Sequence, residues 1–190
     1  MSPETILLWA LCLPLGGALG VSLSGRWPNF REAVTLTTTL CTFGCVVALL
    51  QSVLAGQAIE VELVEVFDGL PLTFRLEPLG MLYALVASGL WIPTALYGIG
   101  YMRGHGEDNQ TRFFTCFALA IFAALGIAFS GNLLTLFLFY EVLTFSTYPL
   151  VTHYGNDEAR KAGRVYLGNL IFTSVAFLLL AVVTTWWLTG

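Results

Sequence analysis

The chain has 190 residues, of which 57% are hydrophobic and 11% charged, with a mean hydropathy of +0.80. An ordinary soluble domain devotes about a quarter of its residues to charge, so this composition excludes one. The net charge of −4 carries little information by itself, because the charges are unevenly placed, and no nucleic-acid partner is expected.

Apolar runs of about 20 residues cross a hydrocarbon core of roughly 30 Å. Six are present, at about 6–23, 34–54, 79–101, 113–130, 132–152 and 165–188. The sequence therefore predicts an all-α integral membrane protein, with residues 1–190 forming a single transmembrane domain of six helices. The lipid bilayer is its first partner.

Met1 to Thr5, ahead of the first span, carry Glu4 and no Lys or Arg. That is the wrong chemistry for the start of a signal peptide, so the span is expected to persist as a mature helix. The second span contains Cys41 and Cys45 on one helix face. With no His or carboxylate beside them they read as packing residues, like Cys12 and Cys116, and no metal site is expected.

Between spans two and three, AIEVELVEVFDGLPLTFRLEP alternates Val61 and Leu63, then Leu72, Phe74 and Leu76, around the turn signal Asp68-Gly69-Leu70-Pro71. This predicts a short β-hairpin, about 58–77, lying on the outer surface. Glu60, Glu62, Glu65 and Asp68 read as its solvated face.

The basic residues divide sharply between the two sets of loops. Arg26 and Arg31 precede span two, Arg103 and Arg112 flank the loop before span four, and Arg160, Lys161 and Arg164 precede span six. The other side holds only Arg75. Basic loops stay in the cytoplasm, so both termini are expected on the outer side of a prokaryotic cell membrane.

The fifth span, NLLTLFLFYEVLTFSTYPLVT, sets one acid, Glu141, almost at its centre. Twenty-one residues at 1.5 Å each make a helix of about 31 Å, which puts Glu141 near the bilayer midplane. A carboxylate at that depth costs at least about 2.5 kcal/mol, so such acids face a bundle interior or a wet cavity. Thr144, Tyr148 and Thr152 fall within about 60° of Glu141 on the helical wheel and draw a polar stripe toward the cytoplasmic end. His153 follows.

A stripe of hydroxyls below a buried carboxyl suits a hydrated half-channel, in which Glu141 takes up and releases a proton. It also suits a neutral Glu that bonds a neighbouring helix and carries no flux. Pro149, eight residues after Glu141, and likewise Pro14 and Pro93 each remove a helical hydrogen bond inside a span.

The sixth span carries Tyr166, Asn169 and Thr173 on one face. Asn169 either continues the hydrated path or bonds across helices. Lys161, the single lysine, lies 20 residues beyond Glu141, outside the apolar run; it is a positive-inside anchor or a charged coupling group.

The run GNLLTLFLFYEVLTFSTYPLVTH followed by DEARKAGRVYL resembles the fifth and sixth helices of the antiporter-like subunits. These occur in Mrp-type multisubunit sodium/proton antiporters, in membrane-bound hydrogenases and in the proton-pumping arm of complex I. Within the antiporters the resemblance is closest to the D-type subunits. LEPLG resembles the lead into that family's third helix. In the family a mid-helix acid on the fifth helix is the functional glutamate, and the matching position is Glu141. A lysine on a broken seventh helix partners that glutamate, and this sequence stops after the sixth span.

The resemblance therefore implies an amino-terminal half of such a subunit, with protons and Na+ as the ions and with other membrane subunits as partners. One of these is expected to carry the remaining helices. A structural or assembly role without ion flux is the competing function.

An intramembrane enzyme, with Ser130 or Ser146 as nucleophile and His153 as base, is disfavoured: Ser146 lies on a different face from His153, and GxSxG is missing. No cofactor is expected, since the sequence has no CxxC, and His105 and His153 both sit at the cytoplasmic rim.

Overall fold

Ser2 opens the first helix, its hydroxyl accepting the Thr5 N–H, and the chain then runs through α1 (Pro3–Leu23) and α2 (Pro28–Leu54). The computed structural model describes residues 1–67 and 69–189. After the hairpin strands β1 (Ile59–Phe67) and β2 (Leu70–Leu76) come α3 (Pro78–Gly104), α4 (Gln110–Ala128) and α5 (Leu133–Val151). The chain closes with α6 (Asp157–Thr173), a π-helical stretch (Ser174–Leu179) and α7 (Leu180–Thr189). Asn132 and Asn156 cap α5 and α6 by accepting the N–H groups of Thr135 and Ala159.

Six helical segments among the described residues are long and apolar enough to cross a membrane; the last, Asp157–Leu188, joins α6, the π-helical stretch and α7. This is the architecture expected of an all-α, multi-pass membrane protein with a small β-hairpin. Pro14, Pro93 and Pro149 all lie inside helices.

The hairpin is antiparallel, with Ile59 opposite Leu76 and Phe67 opposite Leu70. Gly69 takes φ +76, the left-handed conformation that a glycine reaches without strain. Asp68, part of the expected turn and acidic face, lies outside the described residues. Arg75 Nη2 donates to Glu60 Oε1 at 2.8 Å, and that bond raises the Arg75 pKa above its ordinary value.

β2 is tied to the α4–α5 turn through backbone bonds from Arg75 N–H to the Phe129 carbonyl (2.7 Å) and from Gly131 N–H to the Thr73 carbonyl (2.8 Å). Side chains add to the join: Thr135 Oγ1 accepts the Thr73 N–H, and Asn132 Nδ2 donates to the Pro71 carbonyl. The hairpin is thereby one cap of the bundle.

Below that cap sits the main core, in which Leu7, Val46, Ile59, Phe74, Met81 and Phe139 are buried together. Helix associations in membranes depend on close backbone approach at small residues. Two glycines supply it here. A Cβ on Gly80 would lie 2.0 Å from the Ala128 carbonyl oxygen, joining α3 to α4, and one on Gly126 would lie 1.9 Å from Phe139, joining α4 to α5.

The opposite end is tied by polar contacts. Arg31, expected in a loop, is instead in the first turn of α2 and only 4% exposed, because Pro28 starts that helix earlier than the hydropathy suggests. Its guanidinium donates to Gln110 Oε1 (2.7 Å) and Thr111 Oγ1 (3.2 Å) and lies over the Phe114 ring. Arg103 Nε reaches Glu32 at 2.6 Å.

Candidate functional site

Glu141 is the ninth residue of the 19-residue α5, one position from its midpoint, which makes about 28 Å of helix with the acid in the middle. The side chain is partly buried, and its Oε1 is fully enclosed with no hydrogen-bond partner among the described residues. Buried polar atoms are almost always bonded, and one left unsatisfied costs about 1–3 kcal/mol. Among the described residues no neighbouring helix supplies a hydrogen bond to that oxygen.

Thr144, one turn further along, is 3% exposed. Tyr148 and Thr152 follow on the same face, with Thr152 Oγ1 donating to the Tyr148 carbonyl at 3.0 Å. Both line a cavity of about 460 Å³ at the end of α5. They meet α6 at Gly163, where a Cβ would lie 2.3 Å from Thr152 Cγ2 and 3.1 Å from the Tyr148 ring. The same cavity is bordered by Lys161.

His153 stands beside it, its ring edge-on to Phe113 at 5.6 Å and its Nδ1 buried without a partner among the described residues. The His153 carbonyl accepts from Arg112 Nη2 at 3.1 Å.

Of the residues singled out in the sequence, Tyr148, Thr152 and Lys161 thus come together, with His153 adjacent and with Thr144 and Glu141 deeper on the same helix. Asn169 stands apart. Its side chain is exposed on α6, and its carbonyl accepts from Thr173. Tyr166, one turn before it, makes the α6–α5 polar link instead: its hydroxyl lies 3.0 Å from Thr147 Oγ1.

Thr147 falls about 120° from Glu141 on the helical wheel, so a search along the acid's own stripe passes over it. The sequence carries no signal for the pairing, because packing decides which face of α6 meets α5. Among the described residues no group of three or more His, Cys, Asp or Glu side chains is arranged to hold a metal ion.

No family model matches the chain. Among curated proteins it is similar to the antiporter protein mnhA2 of Staphylococcus haemolyticus, at 26% identity over 164 residues, 82% of this chain and 20% of that protein. It is also similar to the A1 subunit of the Na(+)/H(+) antiporter of Staphylococcus aureus, at 33% identity over 92 residues, 48% of this chain and 11% of the relative. The chain is thus similar to proteins named as antiporter subunits.

These relatives are of the A type, whereas the sequence motifs resemble the D-type subunits. The chain spans about a fifth or less of the length of these relatives. Among solved structures its fold matches a chain of an archaeal respiratory membrane complex, the membrane-bound sulfane sulfur reductase. The TM-score is 0.80 at 20% identity, covering 94% of this chain and 36% of that one.

Proposed function

We propose that the chain works within a multisubunit monovalent cation/proton antiporter or a related ion-pumping respiratory complex, where Glu141 takes up and releases the transported proton. The observation that carries this reading is the enclosed, unbonded Glu141 Oε1 at the middle of a membrane-spanning helix. A carboxyl in low dielectric favours its neutral form, and a cation brought within about 4–6 Å favours ionisation. A group left unbonded among the described residues is available to such a partner.

Thr144, Tyr148 and Thr152 supply donors and acceptors for a water-filled half-channel from Glu141 to the end of α5, with His153 at its mouth. Lys161 supplies a fixed charge there. Asn169, exposed on α6, belongs to a face that another helix covers. The partner subunits, one of them carrying helices that provide the counter-charge, come from the rest of the complex.

The basic turns α1–α2, α3–α4 and α5–α6 face the cytoplasm, and the hairpin and both termini face outward across the cell membrane. An impermeant thiol reagent applied to intact cells, in a background without the native cysteines, should modify Glu62→Cys and spare Glu107→Cys. The reverse pattern would invert the topology.

The functional test is a pair of substitutions in the assembled complex. Glu141→Gln keeps size and hydrogen bonding but cannot titrate, and should abolish ion-coupled activity with assembly intact. Glu141→Asp keeps the titrating group with a shorter reach and should retain part of the activity. A Gln variant that assembles and transports like the parent would assign Glu141 to structure alone.

A further inference from the structure

We propose that the cavity between the end of α5 and the start of α6 binds the phosphate headgroup of an anionic phospholipid. The inference stands whether or not Glu141 carries a proton, because it rests on the cations Arg112, Arg160, Lys161 and Arg164 at the mouth of that path and not on the carboxyl.

Four cations border this one cavity, Arg112 from α4 and Arg160, Lys161 and Arg164 from α6, against a single carboxylate, Asp157. Among the described residues none of the four has a carboxylate within 4.0 Å; the ion pairs of the described residues involve Arg31, Arg75 and Arg103. Like charges gathered without counter-ions repel one another, and an anion seated among them removes that repulsion. Arginine is suited to the task because its planar fork matches a phosphate with paired hydrogen bonds. The first turn of α6 adds its partial positive charge, and the cavity includes that turn at Asp157.

The volume, about 460 Å³, falls within the range of roughly 300–1,000 Å³ that small-molecule sites occupy.

Three features favour a lipid as the source of the phosphate. The cavity lies where two membrane-spanning helices end, which is headgroup depth. Its wall includes the Tyr148 ring, an amphipathic group suited to the boundary between headgroup and acyl chain. Val151 and Val165, next in sequence to Thr152 and Arg164, are 42% and 64% exposed and offer apolar surface to acyl chains beside the cationic pocket. Basic pockets between membrane helices on the cytoplasmic side recognise anionic headgroups in this way.

The test uses the full chain, purified with the membrane subunits that accompany it, in bilayers of phosphatidylglycerol and phosphatidylcholine. The lipid retained after detergent extraction is counted by native mass spectrometry. The parent should retain phosphatidylglycerol over phosphatidylcholine, and K161Q/R164Q should retain roughly thirtyfold less. K161R/R164K, which preserves the charges, should match the parent, as should R75Q at the far end of the bundle. Millimolar inorganic phosphate should leave the lipid bound.

Equal retention of the two lipids, or retention by K161Q/R164Q at the parent level, would overturn the proposal. Displacement of the lipid by inorganic phosphate would overturn it too, by assigning the site to free phosphate.

Discussion

The first and last membrane segments of this chain have similar mean hydropathy, 2.0 and 2.2, yet 39% of the apolar window of α1 is buried against 11% of the window in Asp157–Leu188. Transfer from water into lipid treats the two alike, since every apolar side chain is as content against an acyl chain as against another helix. What separates them is close approach. α1 is clasped by α2 and α4, with Gly17 so near Thr38 that a Cβ would lie 2.4 Å from its methyl group. The last segment meets α5 tightly at Gly163, then carries Gly168, where a Cβ would meet nothing within 4 Å, and Phe172 and Phe177 on its exposed surface.

The π-helical stretch Ser174–Leu179 lies within this same segment, so its later turns are rotated relative to a continuous α-helix. One end of the molecule is a finished interior. The other is a helix with one face engaged.

The contrast is open to mutation at both extremes. The largest effect is expected at the clasped end. Gly80→Ala drives a Cβ into the Ala128 carbonyl oxygen, a backbone atom that cannot rotate aside, so α3 and α4 must separate. A cost at or above about 1–3 kcal/mol should follow, seen as a lower thermal midpoint of the detergent-purified chain by size-exclusion chromatography. An unchanged midpoint would mean that the close approach does not hold the interior together.

A middle effect is expected where the last segment is engaged. Tyr166→Phe removes the interhelical bond to Thr147 while keeping the ring, and should lower stability by about 1 kcal/mol. Thr147→Val removes that bond together with those of Thr147 Oγ1 to the Leu143 and Thr144 carbonyls, and adding Tyr166→Phe to it should cost nothing further.

The smallest effect on the chain itself is expected at the open face. Asn169→Leu should leave the thermal midpoint of the isolated chain where it was, because the side chain is exposed and the bond to Thr173 uses only the Asn169 backbone carbonyl. In the assembled complex the same variant should reduce recovery of the partner subunits. Full recovery would mean that lipid, not protein, covers this face.

Much of this was legible in the sequence because its causes are local. Hydropathy along a run of about 20 residues sets a transfer free energy whatever the rest of the chain does, so the six spans emerged from composition. The alternation around Gly69 marked the hairpin, and an acid inside an apolar helix is conspicuous at any resolution of reading. The start of α2 was less legible: Pro28 begins the helix inside a stretch that hydropathy assigns to a loop, and Arg31 is buried there only because Gln110, Thr111 and Phe114 arrive from α4 to receive it.

By itself the sequence determined that the chain lies in a membrane, how many helices cross it, where the hairpin interrupts them, and that Glu141 sits at the centre of one. Tertiary structure alone decided which side chains meet. Thr147 and Tyr166 pair, and Lys161, Arg164 and Arg112 gather around one cavity with Tyr148, because helix rotation and crossing are set by where Gly80, Gly126 and Gly163 let backbones touch. Those contacts join residues about a dozen or more positions apart, and a helical period, which repeats every 3.6 residues, carries no information about which neighbouring helix each face will find.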